Sequence, residues 1–201
     1  MIRAARPVRP TAAEIDALVL DAAAELFARR GARETSVQAV ADATGFSKTG
    51  LLRRFPSKDA LIDAALQQCI HLTEEVHARV ITVNDTHERD AAALAGLVDL
   101  ALVHPGWAQV VLASIPPVDD IQLKAGLSVI GNLVSELFQL DDHTELSRLA
   151  RVAGMLGALV TLTLTYEETA TATEARPVIL EICWATLGHT TTTTTTSPLD
   201  K

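Results

Sequence analysis

The chain is 201 residues long, 48% apolar, 21% charged and 3% aromatic, a size that supports one or two compact units with a sizeable core. Ten glycines and eight prolines exclude a collagen-like or low-complexity chain, and two cysteines, Cys69 and Cys183, exclude a disulfide framework. The formal charge of −8 hides an asymmetry: residues 1–58 carry ten Lys/Arg against six acids (+4), while residues 59–201 carry seven against nineteen (−12). A basic head on an acidic body is the pattern expected when one end meets a polyanion.

The first ten residues, MIRAARPVRP, lead into Glu14, Asp16 and Asp21 rather than an apolar stretch, so no export signal is expected. The longest weakly polar run, Val152 to Leu164, reads as too short for a membrane span and better as a buried helix. The expectation is a cytoplasmic protein with no membrane partner. Arg3, Arg6 and Arg9, in a flexible basic arm over residues 1–12, suit either a minor-groove contact or a solvated terminus.

Nearly every periodic stretch reads as helix. Between Thr11 and Arg30, Leu18, Ala22 and Leu26 recur at steps of four, and Val19, Ala23 and Phe27 repeat the step beside them. Arg29 and Arg30 suit the negative end of that helix, and Gly31 stops it. Thr35-Ser36-Val37-Gln38 matches a capping box, with the Thr35 hydroxyl on a free N–H and Gln38 reaching back. The helix that follows has Val37, Val40 and Ala41 as its apolar face and ends at Gly45. Ser47 caps a third helix to about Phe55, with Leu51, Leu52 and Phe55 inward, and Ser57 caps a fourth carrying Leu61, Ile62, Ala65, Leu66, Cys69 and Ile70.

Beyond a break at Asn84-Asp85, helices are expected over about 88–103, 107–114, 119–140, 144–168 and 174–187, with His104-Pro105-Gly106 as a turn. Pro177 is tolerable only in the first turn of the last of these. The alternation from Val160 to Tyr166 is a strand signal, but the helical stripe upstream and the lack of a partner strand favour helix. The Thr-rich tail over residues 189–201 can bury little and is expected to be disordered.

Three short helices joined by tight turns, the second and third separated by Gly45-Phe46-Ser47, form a helix-turn-helix pattern over residues 13–58. The third helix presents Ser47, Lys48, Thr49, Gly50 and Arg53 outward, flanked by Arg54 and Lys58. Small residues let such a helix sit deep in a major groove, while cations and hydroxyls reach base edges and phosphates. Its N-terminus adds free N–H groups and a positive dipole end.

The stretch Gly31…Thr35-Ser36-Val37…Val40-Ala41…Gly45-Phe46-Ser47-Lys48…Leu51…Phe55-Pro56-Ser57-Lys58-Asp59-Ala60-Leu61 resembles the N-terminal domain of the TetR family of transcriptional regulators, over about residues 13–62. The resemblance implies an all-α homodimer with an N-terminal helix-turn-helix domain and a larger helical ligand-binding and dimerisation domain over residues 59–188. It further implies a repressor of a pseudo-palindromic operator in double-stranded DNA, released by a small-molecule effector. By position, Thr35 and Ser36 would contact phosphate, Lys48, Thr49 and Gly50 would face bases, and Lys58 would touch the backbone. The family usually has an aromatic, often a phosphate-contacting Tyr, where this chain has Leu52, and commonly Tyr or His where it has Arg54. Arg53 and Arg54 can supply charge-assisted contacts in their place.

For the effector, Trp107, Phe138, Met155 and Tyr166 are candidate lining residues, with His104, Gln109 and Asn132 as polar candidates. The scarcity of aromatics points to an aliphatic cavity and a small apolar or amphipathic ligand. For the dimer, the stripe Ala150, Gly154, Gly157, Ala158 and Thr161 permits close helix approach, with Leu180, Trp184 and Leu187 as bulk from the final helix. The six histidines show no metal-ligand spacing, and no nucleophile motif or phosphate loop is present, so no enzyme activity, metal or cofactor is expected. The rival from another class is a helical protein-interaction module whose helix-turn-helix head is not used on DNA.

Overall fold

A computed structural model describes residues 11–31, 33–114, 121–167 and 170–189. These residues form nine helices: α1 Ala12–Arg30, α2 Val37–Thr44, α3 Lys48–Arg54, α4 Lys58–Val80, α5 Thr86–Val103, α6 Pro105–Ser114, α7 Ile121–Leu137, α8 Leu146–Glu167 and α9 Ala172–Leu187. The all-α expectation holds, including over Val160 to Tyr166, which lies within α8. Of the expected basic arm, residues 1–10 fall outside the described residues, while Thr11 and Ala12 cap and open α1; of the expected tail, residues 190–201 fall outside them, while His189 is held against Asp90 and Trp184.

The chain divides into two compact units, one of residues 1–72 and 104–130, the other of residues 73–103 and 131–201. The expected division after Lys58 follows the motif rather than these units. In the first unit, Thr11 caps α1 through a reciprocal box with Glu14, which holds the Glu14 carboxyl below its usual range. Val19, Ala23, Ala24 and Phe27 form the buried face of α1. Of its two apolar rows the second is therefore the core row. Leu18, from the first, is 54% exposed.

α1 packs on α2 and α6, and Gln68 of α4 donates to the Ala17 carbonyl at 3.1 Å. His104-Pro105-Gly106 is not a free turn: Pro105 opens α6, where its missing N–H is no loss. The Gly106 N–H donates to the Asp21 carboxylate at 3.2 Å. A Cβ at Gly106 would overlap the Asp21 carbonyl, so glycine is what permits this approach. Burial is the main cause that pushes the Asp21 carboxyl above its ordinary value, against the hydrogen bonds from Gly106 and Trp107 and the nearby His104.

In the second unit α8 packs on α9, and α5 packs on both. Two charges of α5 are buried. Arg89 donates to the carbonyls of Ile81, Val83, Glu136 and Leu137 at 2.7–3.2 Å, placing a cation where α4 and α7 end. Asp90, fully buried, receives Arg148 in a two-pronged contact of 2.8 and 2.6 Å and lies 2.8 Å from His189 Nε2. His189 stacks on Trp184 with ring centroids 4.0 Å apart.

The apolar run in α8 is longer than Val152 to Leu164. Leu146–Tyr166, of 21 residues and mean hydropathy 1.4, is long and apolar enough to cross a membrane by length and composition alone. One face of it is core, where Val152, Met155, Leu156, Leu159 and Val160 are buried and Arg148 is paired with Asp90, while 33% of the apolar run is buried in all. α9 starts at a Thr171–Glu174 capping box, and Pro177 is its sixth residue rather than part of the first turn. The Thr173 carbonyl thus lacks its helical donor, and the exposure of Thr173 lets water replace it.

Candidate nucleic-acid interface

The turn between α2 and α3 is set by three local devices. Gly45 adopts φ +71°, a left-handed conformation that costs a residue with a Cβ and lets the chain leave α2 sharply. The Phe46 N–H then bonds back to the Ala41 carbonyl at 3.0 Å. Ser47 caps α3 by accepting the Gly50 N–H at 3.0 Å. Leu51 alone of α3 is buried, at 1% exposure, and it fixes which side of the helix faces out.

That outer side is the one the sequence indicates. Ser47, Lys48, Thr49 and Arg53 are exposed and Gly50 is half-buried. Among the described residues, no hydrogen bond or ion pair engages the side chains of Lys48, Thr49 or Arg53. Two cations and a hydroxyl on one short helix face, uncommitted among the described residues, are able to bind phosphate and base edges.

Three expected contacts are placed differently. Thr35 is 1% exposed, and its hydroxyl donates to the Leu26 and Gly31 carbonyls at 3.1 and 3.0 Å. It ties α2 to the end of α1 and cannot reach a phosphate. The helix cap belongs instead to Ser36, which is exposed and accepts the Ala39 N–H at 3.1 Å, while Gln38 bonds Asp42 rather than reaching back. The cap is thus displaced by one residue and the expected box does not form, since Ala39 at the third position has no polar side chain to reach back. Arg54 donates to the Asp16 carboxylate and, at 3.2 Å, to the Ala12 carbonyl. Lys58 donates to the Arg33 carbonyl at 2.9 Å. Both cations therefore brace the head internally, Arg54 joining α3 to α1 and Lys58 joining the start of α4 to the segment before α2.

Leu52 is the other departure. It is 36% exposed rather than turned inward, and Phe46 is 38% exposed. A single buried position in a helix of under two turns leaves Leu52, one residue after Leu51, rotated away from the core.

The candidate effector residues are divided between the two units. Trp107, with no exposed surface, and the 8% exposed Gln109 lie in the first unit, as does half-buried His104. Phe138 and Met155, also buried, and half-buried Tyr166 lie in the second, where Asn132 is exposed. The small stripe of α8 is open: Ala150, Gly154 and Thr161 are exposed, Gly157 and Ala158 half-buried, and a Cβ at Gly157 would meet nothing within 4 Å. Leu180 and Trp184 are half-buried on α9, whereas Leu187 is core. Leu146, Leu149, Val178 and Ile182 add exposed apolar surface to the same two helices. Cys69 and Cys183 are buried, and burial pushes their thiols up to about 12 and about 11, which disfavours the reactive thiolate.

Residues 19–65 match the family model described as bacterial regulatory proteins, tetR family. Over 49 residues the chain is 45% identical to the HTH-type transcriptional repressor KstR2 of Rhodococcus jostii (strain RHA1). That match covers 24% of this chain and only about a quarter (24%) of the length of that relative. The fold is similar to the fatty acid degradation regulator FadR from Bacillus halodurans, with TM-score 0.53 and 15% identity over 91% of this chain and 100% of that one. It is also similar to a TetR-family transcriptional regulator from Bordetella parapertussis 12822, with TM-score 0.59 and 18% identity over 84% and 93% of the two chains. At these identities the structural likeness is one of fold.

Proposed function

We propose that this chain, whose head is the helix-turn-helix domain of the TetR family of transcriptional regulators, is a homodimeric repressor that binds a pseudo-palindromic operator and leaves it when a small molecule binds. The observation that carries the reading is the face of α3 on which Lys48, Thr49 and Arg53 stand exposed and unpaired among the described residues. Ser36 and the Ser47-capped start of α3 supply further polar contacts to the phosphate backbone.

In this reading residues 13–58 bind DNA and residues 59–188 take the effector and pair the subunits. The open small stripe of α8, with Gly154, Gly157, Ala158 and Thr161, meets its copy together with Leu180 and Trp184 of α9, and four helices then share a core. A small apolar or amphipathic effector, with Phe138, Met155 and Tyr166 of the second unit as lining candidates, suits the apolar side chains of that unit. Effector binding shifts the dimer away from the spacing that fits half-sites about 34–36 Å apart. A coupling that weakens DNA binding roughly 5–150-fold is the usual range for such a switch.

The test is fluorescence anisotropy on DNA from upstream of the protein's own gene against scrambled DNA. Preference for the former by roughly 10³-fold or more is the expected result. Equal affinity for both, with no duplex preferred anywhere upstream, would contradict a specific regulator acting on its own gene.

A further inference from the structure

The polar face of α3 is interrupted by one apolar side chain. Leu52 follows Lys48 by four residues and so stands in the same helical row, while Thr49 and Arg53 form the row beside it. The four exposed side chains of this face are thus two cations, one hydroxyl and one isobutyl group. A second apolar side chain, Phe46, stands immediately ahead of the Ser47 cap at 38% exposure. Neither Leu52 nor Phe46 carries an atom that can bond a phosphate oxygen or a polar base edge. In a major groove the apolar group that distinguishes one base from the others is the 5-methyl of thymine.

We propose that Leu52, with Phe46 beside the helix start, is a specificity-determining residue that reads thymine 5-methyl groups in each operator half-site. This rests on the reading of the head as a DNA-binding domain and names what its apolar part recognises. Lys48 and Arg53 hold the duplex by charge, and Leu52 selects among sequences by excluding water from a methyl group that only thymine presents.

The test uses the full chain and duplexes that it enriches from a randomised library, resynthesised with deoxyuridine in place of one thymidine at a time. That exchange removes one methyl group and leaves base pairing intact. The expected result is a loss of about fourfold in affinity at one or two thymines per half-site, the value of one buried methyl. Leu52→Ala or Phe46→Ala should abolish that sensitivity at a given position. Lys48→Ala should weaken binding to both duplexes and keep the ratio between them. Leu52 and Phe46 lie outside the buried core of the head, and thermal melting of each truncated protein reads whether the head still folds. An enriched duplex indifferent to deoxyuridine at every thymine would overturn the methyl reading and leave the regulator reading standing, as would methyl sensitivity unchanged in both truncations. Failure to enrich any duplex would overturn both.

Discussion

Arg148, in the first turn of α8, grips Asp90 of α5 with two hydrogen bonds of 2.8 and 2.6 Å, and Asp90 has no exposed surface. The pair pins α8 to α5 and, through His189, reaches the residue after the α9 cap. Removing one member leaves the other as an uncompensated buried or half-buried charge. Arg148→Met should therefore lower the stability of the protein by about 3–5 kcal/mol. Asp90→Asn, which keeps a hydrogen-bond acceptor, should cost less. Urea unfolding of the two variants checks the order, and a smaller loss for Arg148→Met than for Asp90→Asn would contradict this account.

The contact between Asp21 and the start of α6 yields two expectations. Gly106→Ala forces a Cβ against the Asp21 carbonyl and should destabilise the protein by about 1–3 kcal/mol, as overpacking does. Asp21 also has a carboxyl raised above its unfolded value of about 3.9, chiefly by burial, so the folded state holds the proton more tightly. Its contribution is full below the unfolded value and is lost as pH rises through the folded one. The melting temperature of the wild type relative to Asp21→Asn should accordingly fall as pH is raised from about 4 towards neutrality. A relative stability that rises over that interval would contradict the assignment.

Gly157 tests the pairing of subunits. Since a Cβ there meets nothing within 4 Å, Gly157→Ala should leave the subunit fold intact. Gly157→Arg should block close approach of a second α8 and give monomers by sedimentation. A dimer that survives Gly157→Arg would place the interface elsewhere.

Much of this fold was legible because its signals are local. Gly45, Ser47 and Ser57 mark their turns by residue type alone, and the buried set from Leu61 to Ile70 repeats at helical spacing. The outward face of α3 followed from the same signals. What escaped depends on partners distant in the chain. Arg54 reads as a free cation until α1 brings Asp16, 38 residues away, against it. Thr35 is the exception, its partners being the carbonyls of Leu26 and Gly31 only nine and four residues back, and it reads as a cap because residue type does not show its hydroxyl turning back to them. Arg89 and Asp90 sit in a helix that sequence places well, yet their partners lie 47 to 99 positions away apart from the nearby carbonyls of Ile81 and Val83, so their burial left no periodic trace.

Neutralisation of phosphates by Lys48 and Arg53 of α3 is what the DNA-binding reading rests on. It is tested most directly by the salt dependence of DNA affinity for the wild type, Lys48→Ala, Arg53→Ala and Arg54→Ala. Each phosphate contact contributes a slope of about −0.9 in log affinity against log salt. The first two substitutions should each flatten the slope by about that amount, while Arg54→Ala, whose guanidinium is held by Asp16 and Ala12, should leave it unchanged. A slope unmoved by Lys48→Ala and Arg53→Ala would contradict the placement of DNA on this face.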